Sequence, residues 1–372
     1  MDRRAYPSPH QDSPLFSGPD APRRIGVFRA LQLGDMLCAV PALRTLRAAA
    51  PTAHITLIGL PWAAGFARRF SRYVDAFASF PGFPGMPEHL VELVRIPGFI
   101  AAMQAQRFDL LLQMHGSGGL TNPLVMSFGA ARNAGFYLEG NFCPDAQLFI
   151  EWDEGLHEIR RNLQLLEWLG APAQGENLEF PLRDEDCLAL RLSCEKLPAP
   201  GTYACIHPGA RLLSRRWHAE RFARVADCLQ EAGIPVVLTG AAEEVPLVHA
   251  VECAMRTTPL NLCGKTDLGA FAALVAGARL MVCNDTGASH IATAVNTPSV
   301  VICCGADPRR WAPLDRSRHR TLFADVSCRP CMFQECPTGH ACAEQVGIDA
   351  VLDEMRQLLA DLGTAKPLIN AH

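Results

Sequence analysis

Seven residues, "NDTGASH" at 284–290, place an acid, a hydroxyl, a glycine and a histidine between the apolar runs "ARLMVC" and "IATAVNTPSVVICCG". Three kinds of chemistry could use that set. A nucleophile elbow needs glycine two residues either side of its serine; Gly287 is present but position 291 is Ile, so Ser289 is not such a nucleophile. Metal binding by Asp285 and His290 would need further ligands, and the neighbouring loops offer little beyond His207. An anion cradle fits better. Gly287 frees the backbone, Thr286 offers a hydroxyl, and the N–H groups opening the next helix face a phosphate. His290, one turn further, lines that mouth or packs beneath it.

Four other stretches carry residues of this kind. In "LQLGDM", Gly34 and Asp35 follow the first apolar run. Asp35 reads either as a capping or loop carboxylate or as a general base presented at a strand mouth. In "HPGARLLSRRW", His207, Pro208, Gly209 and Ala210 turn the chain from a strand towards a helix. Glycine lets the backbone approach a ligand, and Arg215 and Arg216 supply positive charge. Together they could hold a diphosphate, or form a surface loop with solvated arginines. In "LTGAAEEV", Glu243 or Glu244 is placed to bond ribose hydroxyls, although the helix dipole also favours acids there. Finally, "CRPCMFQECPTGHAC" spaces Cys328, Cys331, Cys336 and Cys342 as C-x2-C-x4-C-x5-C within 15 residues. The first pair has metal-knuckle spacing and the second is looser than a zinc ribbon. The readings are a structural Zn or Fe site, with His340 as a weaker alternate ligand, or free thiols or a redox-labile bridge.

The elements that must position these residues alternate. Apolar runs such as "RRIGVFRA", "HITLIGL", "DLLLQMHG", "TYACIHPGA", "PVVLTG" and "PSVVICCG" are separated by amphipathic stretches such as "PALRTLRAAAP" and "HAERFARVADCLQEAG". That is the pattern of parallel sheets flanked by helices, an α/β class built as two Rossmann-like halves facing a cleft. Ligands in such sheets bind beyond the carboxyl ends of strands. The candidate loops are therefore 29–36, 115–120, 207–216, 239–244 and 284–290. The expected organisation is a disordered leader over 1–22, a first domain over 23–175 and a Pro-marked linker over 176–200. A second domain over 201–345 contains the cysteine cluster, and a terminal helix and tail cover 346–372.

With 372 residues, two domains are the default. The net charge of −4 gives no global reason to expect nucleic acid. No apolar run approaches the roughly 18–20 residues that span a bilayer, and the first 22 residues lack a signal-peptide core. A cytoplasmic protein is expected. Of the fifteen cysteines, the eleven outside the cluster lie mostly in apolar segments, where the thiol acts as a small buried hydrophobe. No G-x-G-x-x-G follows any strand, which disfavours a dinucleotide oxidoreductase.

Taken in order over about residues 24–360, "FRALQLGDMLCAVPALRTLRAAAP", "HPGARLLSRRWHAERFA", "LTGAAEEV", "NDTGASHIATAVNTPSVVICCG" and "DPRRWAPL" resemble glycosyltransferase family 9, the ADP-heptose:lipopolysaccharide heptosyltransferases. The resemblance implies a GT-B fold with an acceptor-binding first domain, a nucleotide-sugar-binding second domain and a C-terminal helix returning to the first. It implies an inverting transfer of heptose, or a related sugar, from an ADP-sugar to a hydroxyl of a lipid-linked inner-core saccharide at the inner membrane face. No cofactor is required for that chemistry. Alternatives within the resemblance are another nucleotide sugar, a protein acceptor, or a non-catalytic nucleotide-sugar-binding homologue. On the family pattern Asp35 is the base. Arg215 stands where the family usually has a diphosphate-binding lysine, which keeps the charge but alters its geometry. Glu244 matches the ribose-binding acid, and Asp285, Thr286, Gly287 and His290 match the donor-site "DTGxxH". Gly34, His207 and Gly209 are counted with the donor-binding set.

Overall fold

The computed structural model describes His10 and residues 15–363. The chain divides into two units, Met1–Asn177 and Leu178–His372. The first holds six parallel strands: β1 (Arg24–Phe28), β2 (His54–Gly59), β3 (Ala76–Ser79), β4 (Leu110–Gln113), β5 (Arg132–Tyr137) and β6 (Phe149–Glu151). Their spatial order is β3-β2-β1-β4-β5-β6. The second holds β7 (Ala204–His207), β8 (Val236–Leu238), β9 (Leu260–Asn261), β10 (Leu280–Asn284), β11 (Ser299–Ile302) and β12 (His319–Leu322), in the order β12-β11-β10-β7-β8-β9. Counted within each unit, both sheets run 3-2-1-4-5-6. The strand order of each therefore reverses between its first and fourth strands, where open α/β sheets take their ligands. Those points are β1/β4, with Phe28 paired to Gln113, and β7/β10, with His207 paired to Cys283.

The central strands are apolar because helices cover both faces of such sheets. All of β4, β10 and β11 is buried. Gly26 in β1 is bare for a reason: a β-carbon there would collide with the Leu111 side chain of the neighbouring strand. In the first unit Phe28, Ile58, Phe80, Phe108, Leu111 and Phe128 belong to one apolar cluster. In the second, Trp217, Phe222, Val236, Val282 and Val300 belong to another.

Three expectations are revised. Each sheet ends in a strand the alternation did not reveal, β6 and β12. The leader is shorter than 1–22: residues 1–9 and 11–14 lie outside the described residues, but Leu15 and Phe16 are buried, and the Leu15 amide donates to the Leu169 carbonyl at 3.3 Å. The linker over 176–200 is largely ordered structure. Its start is held by Arg44, which donates to the carbonyls of Gln174, Gly175 and Asn177. Its middle forms the helix Asp184–Ser193, packed on the helix Leu268–Ala276. The terminal helix Ile348–Asp361 buries Val351, Leu352, Met355, Leu358 and Leu359 in the second unit's core. The tail beyond residue 363 lies outside the described residues.

One cross-strand pair makes stability pH-dependent. Ser299 and His319 face each other in register on β11 and β12, and their side chains share a 2.8 Å hydrogen bond in a fully buried setting. Burial pushes the His319 imidazole down to about 4. An unfolded chain takes up that proton near pH 6.5, so between about 6.5 and 4 the unfolded state binds more protons. The contribution is intact above pH 6.5 and is lost as pH falls through that window, by up to about 3 kcal/mol. Urea unfolding across the window should show a shallower pH slope for His319→Gln than for the unaltered protein; equal slopes would refute the assignment.

Candidate functional site

At the β1/β4 mouth, the chain leaves β1 through Arg29 and Ala30 and enters the short helix Leu33–Cys38, with Asp35 half-buried in its first turn. Beside it, β4 ends at Gln113 and continues to His115, which is buried. The His115 Nδ1 accepts from the Ala30 amide at 3.2 Å, so its Nε2 is the protonated nitrogen of the neutral ring. That nitrogen lies 3.8 Å from a Glu88 carboxylate oxygen, and Gln32 donates to the Glu88 carbonyl. The Gln113 amide donates to the His115 carbonyl at 2.8 Å and to the Thr121 hydroxyl, fixing the start of the 115–120 loop. Asp35 and the 115–120 loop thus share one mouth, as expected. Arg29, Glu88 and His115 are additions that the sequence reading did not single out.

At the β7/β10 mouth, three expected residues come together. His207, the last residue of β7, shares a 3.1 Å hydrogen bond between Nδ1 and the Thr239 hydroxyl. Its Nε2 lies 3.8 Å from the Glu244 carboxylate. Burial pushes the His207 imidazole below its usual value, with Glu244 pulling the other way. Glu244 accepts from the Ala241 amide at 2.9 Å, which anchors the turn Ala242–Glu244. Gly209 packs its bare backbone against that carboxylate, and a β-carbon at 209 would collide with it. Of the two acids weighed for this loop, the structure brings Glu244 to the glycine turn.

The other half of this mouth is cationic. Asp285, just beyond β10, is 9% exposed, and burial pushes its carboxyl up to about 6 while Arg215 and Arg329 pull it down. Arg215 lies in the turn Leu213–Arg215, donates to the Cys331 carbonyl at 3.3 Å, and has a buried Nε with no hydrogen-bond partner. A half-buried guanidinium beside Asp285 brings positive charge to this mouth. Thr286 caps the helix Gly287–Ala294, its hydroxyl accepting from the Ala288 amide at 3.3 Å. His290 is buried with its ring 6.3 Å from Trp311, so it packs beneath the mouth.

Asn284, the first residue of the opening motif, went without a role and is what binds the two halves together. It is fully buried; its amide donates to the Pro208 carbonyl at 2.7 Å and its carbonyl accepts from the Trp217 amide at 3.0 Å. The 208–217 loop and the end of β10 are thereby one unit. Asn284→Ala leaves both main-chain groups buried and unpaired, with an expected loss of about 2–4 kcal/mol, read as a lower urea midpoint at unchanged slope.

The cysteine cluster does not assemble as a ligand set. Cys328, Cys331, Cys336 and Cys342 do line one cavity, together with Ser214, Gly305 and Arg329. However, Cys336 accepts from the His340 amide at 3.1 Å, and a hydrogen bond with Cys304 holds the Cys342 thiol down to about 6. All four thiols are free, and among the described residues no group of three or more His, Cys, Asp or Glu side chains is placed to hold a metal ion. The His340 ring, weighed as an alternate ligand, bonds the Ser214 carbonyl through Nε2 at 2.9 Å. The segment acts instead as a strap over the arginine turn: the Ser214 amide donates to the Gln334 carbonyl and its hydroxyl to the Phe333 carbonyl.

The chain has relatives. The family profile described as "Glycosyltransferase family 9 (heptosyltransferase)" matches residues 98–342. The chain is 31% identical over 162 residues to Lipopolysaccharide heptosyltransferase 3 of Escherichia coli (strain K12), a span of 43% of this chain and 47% of that one. It thus spans about half the length of that curated relative. Among solved structures, a glycosyl transferase family 9 protein from Veillonella parvula DSM 2008 superposes with a TM-score of 0.74, at 22% identity, covering 91% of this chain and 98% of that one. The ADP-heptose lps heptosyltransferase II of E. coli does so with a TM-score of 0.72, at 20% identity, covering 91% and 99%. These likenesses show the fold, two parallel-sheet α/β domains of the GT-B class. Asp35 precedes the matched span of the profile, so its role rests on the mouth it occupies.

Proposed function

Because the chain belongs to glycosyltransferase family 9, we propose that it transfers a heptose from ADP-heptose to a sugar hydroxyl of a lipid-linked lipopolysaccharide inner-core acceptor, with inversion at the anomeric carbon. The observation that carries this reading is the make-up of the β7/β10 mouth. A bare glycine turn, an acid suited to ribose hydroxyls and a half-buried guanidinium beside Asp285 stand around one strand end. Those are the needs of a nucleoside diphosphate.

In this mechanism the second unit binds the donor. His207 and Glu244 take the nucleoside side, and Arg215 and the amides opening the helix Gly287–Ala294 take the diphosphate. Diphosphate is a good leaving group once its charge is met, so no protein acid is needed. Asp35 removes the proton from the acceptor hydroxyl while the donor C1 passes through an oxocarbenium-like state. One displacement inverts the configuration. Arg29 takes no part in binding, because its donors are spent on the protein. No step runs through the cysteine segment.

The acceptor is proposed to be met at the inner membrane face by a cytoplasmic protein; among the described residues no helix is long and apolar enough to cross a membrane. The reading is tested by incubating the protein with ADP-heptose, with and without an acceptor extract lacking inner-core heptose. Acceptor-dependent ADP release supports it. Tight ADP binding without any release points to a binding homologue, and release only from another nucleotide sugar moves the donor assignment.

A further inference from the structure

Behind Asp35 lies a cluster of buried ionic side chains that the proposed chemistry does not use. Arg29 is 2% exposed, Glu158 2% and Arg161 fully buried. An isolated charge at such a depth would be costly, so the partners of each are informative. The Arg29 guanidinium makes five hydrogen bonds. Nε donates to the Asp35 carbonyl at 3.0 Å and Nη2 to the same oxygen at 2.7 Å. The second Nη2 bond meets Glu158 at 3.0 Å, and Nη1 donates to the Asn162 side chain and to the Met114 carbonyl. A guanidinium has five N–H donors, so none is left for a substrate.

The other Glu158 oxygen is held by Arg161, which donates to the Asp153 and Leu156 carbonyls and lies 3.9 Å over the Trp152 ring. Glu158, Arg161 and Asn162 all belong to the helix Glu158–Trp168. Arg29 thus ties three things to one point: the backbone of Asp35, the chain just before His115, and a helix about 130 residues later in sequence (|i−j| of 129 and 133 for the two contacts).

We infer that Arg29 is the positioning residue of Asp35. Its fork grips the Asp35 carbonyl and the Met114 carbonyl together, and Glu158 orients the fork. This sets where the Asp35 side chain stands at the mouth. The inference rests on the reading of Asp35 as the base. Lysine could keep the charge but has one nitrogen, and it could not span both carbonyls and Glu158 in this geometry.

The experiment compares Arg29→Lys, Glu158→Gln, Asp35→Asn and the double variant Arg29→Lys/Asp35→Asn. Readouts are acceptor-dependent ADP release from ADP-heptose, affinity for ADP alone, and the melting temperature. Arg29→Lys is expected to lower kcat about 10–100-fold, the scale of a misplaced reacting group, with ADP affinity unchanged. Glu158→Gln, nearly isosteric, should give a smaller loss of the same kind. The double variant should be no slower than Asp35→Asn alone, because a misplaced base that is already absent costs nothing more. A folded Arg29→Lys with unchanged kcat, or losses that multiply in the double variant, overturns the inference. If Arg29→Lys does not fold, Glu158→Gln decides on the same criteria. A slow Asp35→Asn with a normal Arg29→Lys removes only this inference, whereas a normal Asp35→Asn removes the base reading and this with it.

Discussion

Asp35→Ala is expected to lower turnover by about 10²–10⁴-fold while affinity for ADP is kept, the signature of a lost general base. The expectation comes from where the carboxylate stands. It opens a helix directly beyond β1, at one of the two points where strand order reverses, and it is half-buried. The donor is assigned to the β7/β10 mouth, so affinity for ADP is expected to be kept. Glu88 is the competing carboxylate in that mouth, 3.8 Å from His115. Near-normal turnover for Asp35→Ala would therefore end the assignment and turn attention to Glu88.

Arg215→Met should cost about 10²–10³-fold in kcat/KM, as removal of one donor aimed at developing charge does elsewhere. Here the effect should fall on donor affinity as well, because a guanidinium near the diphosphate acts before and during departure. The side chain is half-buried and spends one nitrogen on the Cys331 carbonyl and the Met332 sulfur, and its charge stands beside Asp285 at the mouth. Arg215→Lys keeps the charge, and it should recover most of the loss although the geometry of the charge changes. Calorimetry with ADP and steady-state kinetics check both variants. A methionine variant within about three-fold of the unaltered protein would contradict the role.

Much of this was legible because parallel strands buried on both faces write themselves as apolar runs. β1, β2, β4, β7, β8, β10 and β11 are such runs, and the loops after them carry the glycines and polar residues of the mouths. β6 and β12 escaped for different reasons: β6 has only three residues, and β12, "HRTL", has a single apolar residue and is largely half-exposed. The helix Asp184–Ser193 was hidden by flanking prolines, although its three acids in the first turn are a start signal. Among the site residues, Glu244 and Asp35 could be named because an acid after a strand is a familiar pattern. Asn284 could not, although it stood in the motif itself, since its partners are main-chain groups of a loop 67 and 76 residues away in sequence. The same holds for Arg29, whose meaning depends on a helix that local pattern cannot bring to it. The cysteines misled in the opposite way. Their spacing suggested a ligand set; all four line one cavity, yet among the described residues no three of them are placed to hold a metal ion.

That strap also imposes an order on the making of the protein. The arginine turn at 213–215 is held by carbonyls of Cys331, Phe333 and Gln334, and the Trp217 indole just after it donates to the carbonyl of Val346. A chain grows from its N-terminus, and domains fold as their residues emerge. The first unit, with Asp35 and its arginine support, can therefore be finished early. The donor turn cannot: until the last fifth of the sequence is made, its fasteners do not exist. A nascent chain halted before residue 330 would carry a complete first mouth and an unset second one.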